Sequence, residues 1–194
     1  MNRFLLLYEP MIRRLKNELP ENLFYHGVHH TIDVVNAAEQ IGNSERVSAE
    51  ELVMLKTAAL YHDSGFIFGE ENHEVKGSEL AKKELPAAGF SGDEISIICG
   101  MIMATRYPQQ PKNKLEQILC DADLDYLGRD DFFEIGTTLY KELMATGRIK
   151  TEREWNRLQV NFLNSHKYFT KTSVEKRDQL KNEHLLQVKK LLLA

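Results

Sequence analysis

Residues 48–65 read Ser-Ala-Glu-Glu-Leu-Val-Met-Leu-Lys-Thr-Ala-Ala-Leu-Tyr-His-Asp-Ser-Gly. Ser48 followed by Glu51 has the form of a capping box, in which the serine hydroxyl accepts from the third helical amide and the glutamate reaches back to the serine N–H. Behind it Leu52, Leu55, Ala59 and His62 recur at intervals of three and four, and so share one helical face. The segment predicts a helix ending in His62-Asp63, with His62 on the buried stripe. Asp63 then stands at a helix C-terminus, where the dipole already places partial negative charge and disfavours a carboxylate. A bound cation would relieve that conflict. Taken alone, the pair also suits a core histidine bonded to a neighbour.

Similar starts recur along the chain. Ser91–Glu94, Thr151–Glu154 and Thr172–Glu175 repeat the box, and Asn113–Glu116 is a weaker relative. Amphipathic stretches near 3–18, 28–42, 72–87 and 130–145 bring the count to about eight helices, and strand-like alternation is nearly absent. Gly65, Gly89 and Gly147 fall where helix caps or turns are wanted. No repeat, low-complexity tract or Gly/Ser linker interrupts the 194 residues. The expectation is an all-α helical bundle forming one domain over 1–194, with a core over about 25–127 and C-terminal helices over 130–194 packed on it.

Composition narrows the function classes. The chain is 42% hydrophobic and 28% charged, with a net charge of -4. It contains no run of about 18 apolar residues, which excludes a membrane-spanning helix. Met1 to Leu7 carries Arg3 and no small-residue cleavage site, which reads against a secretory leader, so a cytoplasmic location is expected. Cys99 and Cys120 sit among apolar neighbours and read as reduced core thiols; the absence of a Cys-x-x-Cys disfavours a thiolate zinc site. The charge is divided: residues 1–140 carry 23 acidic and 13 basic side chains, and residues 141–194 carry 6 and 12. Five of the seven histidines lie in the acidic part, which reads as a candidate cation site or a solvated surface.

Two further clusters bear on that site. In Tyr25-His-Gly-Val-His-His-Thr-Ile-Asp33, His30 shares a stripe with Val34, Ala37 and Ile41 and points inward. His29 pairs with Asp33 at i+4 on another face, and His26 precedes His30 by four. In Cys120-Asp-Ala-Asp-Leu-Asp-Tyr-Leu-Gly128, steps of about 100° per residue put the apolar direction of 115–127 roughly 45° from Asp123, 115° from Asp125 and 155° from Asp121. Asp123 is therefore expected to be the buried carboxylate, and such a group must be protonated, salt-bridged or metal-bound. The spacing lacks the pattern of a calcium loop. Two imidazoles and two carboxylates from three helices suit a divalent ion such as Mn, Fe, Mg, Zn or Ni, and an ion so held lowers the pKa of a water and polarises a phosphoryl oxygen.

The order His, His-Asp, Asp on an all-helical chain resembles the HD superfamily of metal-dependent phosphohydrolases, over about Tyr25 to Tyr126. The resemblance implies that His30, His62, Asp63 and Asp123 hold one tightly bound metal and that Asp63 or Asp123 orients the attacking water. Tyr25-His26-x3-His30 is similar to the start of the cyclic-nucleotide phosphodiesterase site, which implies His26 as proton donor to the leaving oxygen. The stretch around Asp123 resembles the last-ligand region of deoxynucleotide triphosphohydrolases, with Tyr126 near the substrate. His73-Glu-Val-Lys-Gly77 is similar to the His-x3-Gly element of relatives that hydrolyse cyclic dinucleotides and hold a second metal there. Thr105-Arg106 stands where those relatives carry paired histidines, so the expected role of His73 is phosphate-side donor or proton shuttle, and that of Arg106 a bidentate phosphate contact. No Glu-Asp pair follows His62-Asp63, which speaks against alarmone pyrophosphohydrolase activity.

The implied function is hydrolysis of a small-molecule phosphate ester, that of a nucleotide, as a monoester or diester. The alternative is a non-catalytic metal-containing module that senses a nucleotide, using Lys171, Lys176, Arg177 and Lys181 as a basic rim; a solvated helix face is the plainer reading of those four. Trp155, Phe162, Tyr168 and Phe169 read as core or homodimer contacts. The acidic balance and the lack of a basic-aromatic motif argue against nucleic-acid binding.

Overall fold

Polar side chains close the first turn of most helices in the computed structural model, which describes residues 3–193. Met1, Asn2 and Ala194, at the ends of the span expected to form one domain, lie outside the described residues. The described residues contain no strand and nine α-helices: α1 (Arg3–Glu18), α2 (Val28–Ser44), α3 (Ala49–Tyr61), α4 (His73–Glu84), α5 (Gly92–Ala104), α6 (Lys114–Asp123), α7 (Phe132–Ala145), α8 (Glu152–Ser165) and α9 (Lys171–Leu193). Short 3-10 turns follow α3, α4 and α6. None of these helices is long and apolar enough to cross a membrane.

Ser48 and Ser91 form complete capping boxes with Glu51 and Glu94, as their spacing predicts. Thr151 and Asn113 accept from the amides of Glu154 and Glu116, but those glutamates reach past the cap to the N–H groups of Lys150 and Lys112. At α9 the expectation needs correction. Thr170, not Thr172, accepts from the third helical amide, at Ser173, while Thr172 is held by Glu45 across the fold.

Apolar stripes of α1 to α6 meet in the main core, around Leu15, Val34, Leu55, Leu60, Ile98 and Ile118. Alanines at 37, 38, 58 and 59 let α2 and α3 pack closely, which sets His30 opposite His62. A second core joins Tyr25 to Tyr126, Leu127, Phe132, Leu163 and Val188, so α7, α8 and α9 close over the end of α6. Polar anchors fix them there. Asp121, fully buried, accepts from the amides of Phe169 and Thr170 at 2.9 and 2.8 Å and from the Thr170 hydroxyl at 2.7 Å. Arg177 grips Asp125 through two bonds of 2.8 and 2.9 Å, and Lys181, itself buried, donates to the His166 carbonyl. With Lys171 paired to Glu175, three of the four cations of the expected basic rim are committed to protein carboxylates or carbonyls.

Gly65 lies in the 3-10 turn after α3, one of the two places expected for it, and is also a crossing point. A Cβ on it would lie 1.9 Å from the His73 carbonyl oxygen, so only glycine lets α4 begin directly against the turn that carries Asp63. Placing one methyl there forces backbone apart, and overpacking of this kind typically costs 1–3 kcal/mol. Gly65→Ala is expected to lower the unfolding free energy by about 2 kcal/mol, read by urea denaturation. An unchanged midpoint would show that α4 does not depend on this contact.

Candidate metal centre and substrate cavity

Three helices bring two imidazoles and two carboxylates together: His30, His62 and Asp123 offer ligand atoms all within 4.8 Å of one another, and Asp63 Oδ2 lies against both imidazoles. His30 sits in the first turn of α2, His62 caps the C-terminus of α3, Asp63 follows it, and Asp123 is the last residue of α6. His62 Nδ1 donates to the Ala59 carbonyl at 2.8 Å, which fixes the tautomer and leaves Nε2 a lone pair aimed inward. That Nε2 lies 3.4 Å from His30 Nε2, 3.2 Å from Asp63 Oδ2 and 3.5 Å from Asp123 Oδ1. His30 Nε2 lies 3.2 Å from Asp123 Oδ1 and 3.5 Å from Asp63 Oδ2. Donors about 2.1 Å from one ion at angles of 90 to 110° stand roughly 3.0–3.4 Å apart, so these separations match the edges of a coordination polyhedron. A further observation points the same way: Asp63 Oδ2 is buried and has no hydrogen-bond partner. The residues therefore fit a divalent cation. Burial opposes ionisation of Asp63 and Asp123, but the flanking imidazoles outweigh it and hold both carboxyls below the usual range.

Asp123 is the inward aspartate, as the helical projection predicts, but it is not the most buried of the three. Asp121 and Asp125 are more enclosed, because α8 and α9 cover the faces of α6 that the projection left to solvent. The magnitudes separate their roles. Charge-assisted hydrogen bonds are each worth about 1.5–3 kcal/mol, so the three made by Asp121 counter the cost of its burial, which still raises its carboxyl above the usual range. Asp123 turns Oδ1 to the cluster, 3.2 Å from His30 Nε2, and accepts from Gln109 Nε2 on Oδ2 at 3.3 Å.

His26 lies in the loop before α2, with its ring 6.0 Å from that of His30. Glu142 of α7, buried and 116 residues away, accepts from the amides of Tyr25 and His26 on Oε2 and meets His26 Nδ1 at 2.5 Å on Oε1. Burial opposes charge on His26, but the bond to Glu142 and the nearby carboxylates prevail and raise it above an ordinary histidine. Glu142 is correspondingly lowered despite its burial, chiefly by that bond. Phe66 is sandwiched between His26 and His73, with centroids 4.5 and 4.1 Å away. His73 Nδ1 donates to the Glu70 carbonyl, and its Nε2 lies 3.5 Å from both Asp63 Oδ1 and Glu74 Oε1. His29 is exposed, and its expected partner Asp33 accepts from Arg129 instead.

A cavity of about 220 Å³ opens from this cluster, lined by His26, Asp63, His73, Asp123 and Tyr126 at one end and by residues of α7 and α8 at the other. Burial pushes the Tyr126 phenol up, so it faces the cavity neutral. Arg106, expected to contact phosphate, lies outside this lining; it is exposed and donates to Asn72 Oδ1 at 3.1 Å. Glu142, Gln109, Phe66 and Glu74 were not found from the sequence. The one trace of Glu142 is an acidic residue on the Leu139–Leu143 stripe.

The crystal structure of a predicted HD superfamily hydrolase from an uncultured Thermotogales bacterium superposes with a TM-score of 0.61 at 21% identity, over 95% of this chain and 91% of that one. No curated protein matches the chain. The description of the HD domain matches residues 27–125, half of the sequence and the stretch that supplies all four converging donors, and the chain belongs to that family.

Proposed function

We propose that this protein is a hydrolase that cleaves a phosphate ester of a nucleotide, with a divalent ion held by His30, His62, Asp63 and Asp123. The observation that carries the reading is the convergence of four donors around the unpartnered Asp63 Oδ2. A divalent ion at this point supplies Lewis acidity toward a phosphoryl oxygen and a water of lowered pKa. Asp63 or Asp123 would orient the attacking water in line with the scissile bond. His26, its Nδ1 engaged by Glu142 and its ring stacked on Phe66, offers Nε2 as the proton donor to the leaving oxygen. His73, near Asp63 Oδ1, steadies that carboxylate or a phosphate oxygen from the other side. The crystallised relative described as a predicted hydrolase supports the reaction class by likeness.

Purified protein is expected to carry about one divalent ion per chain, and His62→Ala and Asp63→Ala to carry none while staying folded. Elemental analysis with circular dichroism reads both. Full metal content and full phosphatase activity in either variant would overturn the reading, and metal without turnover of any mono-, di- or triphosphate ester would favour the nucleotide-sensing module.

His26→Ala is expected to lower kcat by about 10²–10⁴, the usual contribution of a positioned acid. A donor whose pKa is raised in the folded protein stays protonated below that value and loses its function as pH rises through it. Glu142→Gln removes the group that raises His26, so the alkaline limb of the pH–rate profile should move to lower pH. An unmoved limb would show that His26 is not the donor.

A further inference from the structure

No lysine or arginine is among the described residues that line the cavity. Six of its nineteen lining residues are aromatic, while aromatic residues make up 9% of the chain. The metal end is polar; the far end, between α7 and α8, is formed by Phe132, Leu139, Trp155, Leu158 and Phe162. One polar group interrupts that surface. Gln159 is buried, its Nε2 donates to Asn156 Oδ1 at 3.3 Å, and its carbonyl oxygen accepts from no protein group among the described residues. At the mouth three glutamates face two arginines. Arg106 is tied to Asn72, Arg148 is paired with Glu70, and the hollow they border also carries Glu71 and Glu74.

We infer that the substrate is a phosphate monoester carrying one phosphate and a flat aromatic body, with an N–H on the ring edge read by Gln159. This deepens the hydrolase reading above and rests on it. With two aspartates and two neutral imidazoles, a divalent ion would balance the charge of its own ligands, leaving an open position for one phosphoryl oxygen and no net charge to hold further phosphates. Each additional phosphate of a polyphosphate would lie beside Glu74, outside a cavity lining that has no lysine or arginine and next to a hollow where glutamates outnumber arginines. The aromatic body meets an apolar, ring-lined cleft, and burying Gln159 unpaired penalises a ligand without a donor at that edge. A nucleobase and a synthetic amino-aryl group share this chemistry.

Trp155 is the sole tryptophan, so ligand entry has an intrinsic reporter. Metal-loaded protein would be titrated with adenosine monophosphate, aminophenyl phosphate, phenyl phosphate, inorganic phosphate and adenosine triphosphate, with Trp155 emission read in the stopped flow before turnover. Adenosine monophosphate is expected to change the emission and to bind at least tenfold more tightly than inorganic phosphate or the triphosphate. Aminophenyl phosphate should bind more tightly than phenyl phosphate, and Gln159→Leu should abolish that difference. Equal or tighter binding of the triphosphate, or of inorganic phosphate, overturns the inference, and these arms need no variant to fold. Turnover that prefers triphosphates would sink this inference and leave the hydrolase reading standing. Tight, Trp155-reported binding of monophosphates without turnover would do the reverse.

Discussion

Asp63 Oδ2 is buried without a hydrogen bond, 3.2 Å from an imidazole nitrogen whose ring carries its proton on the far side, against Ala59. Leaving one such group unpaired costs about 1–3 kcal/mol, a sizeable share of the 5–15 kcal/mol that holds a domain together. The surrounding backbone must therefore over-determine the site. It does so locally: the Ser64 hydroxyl donates to the Tyr61 carbonyl, Gly65 lets α4 abut the turn, and His62 is locked by the last turn of its own helix. A cation at the centre of the four donors turns the same arrangement from a cost into a gain, so metal binding and local stability are coupled here.

The C-terminal helices do more than cover the core. Asp121 and Asp125 anchor α8 and α9 to the segment that ends in Asp123, so the third helix of the cluster is held from both sides. Glu142 extends the same logic to the loop before α2. A single carboxylate takes two main-chain amides and one imidazole nitrogen, which ties the position of His26 to α7. The cavity thus has its polar end built by the segments matched to the HD domain and its apolar end built largely by α7 and α8, beyond residue 125.

What was legible in the sequence followed from local rules. The stripe Leu52, Leu55, Ala59, His62 predicted a helix end that delivers His62 and Asp63, and the structure leaves Leu52 half-buried and the other three fully buried. The projection chose Asp123 correctly for direction and wrongly for burial, because it carried a straight helix through Leu124, where α6 gives way to a 3-10 turn, and knew nothing of α8 and α9. The Thr172 box failed for a similar reason: Glu45, 127 residues away, takes that hydroxyl and leaves Thr170 to cap. Glu142 and Gln159 left almost no trace, since each acquires its role through contacts made only after the chain has folded back on itself.

The division of charge takes on a different meaning in three dimensions. A tail carrying 12 basic against 6 acidic side chains looks like an attractor for anions, but Arg177 and Lys181 are spent holding α9 in place and Lys171 is paired within its own helix. The acidic majority is also partly internal: Asp121 is satisfied by amides, Asp125 by Arg177, and Glu142 by His26. Three carboxylates, Asp63, Glu74 and Asp123, are left beside a cavity whose lining has no lysine or arginine, so an ion at the cluster would dominate the potential there. On the proposed reading, a divalent ion there would offset the two aspartates and leave an open position for one phosphoryl oxygen, with an apolar wall beyond it. Selectivity by shape and by count of anionic groups would then follow from that scarcity of positive charge.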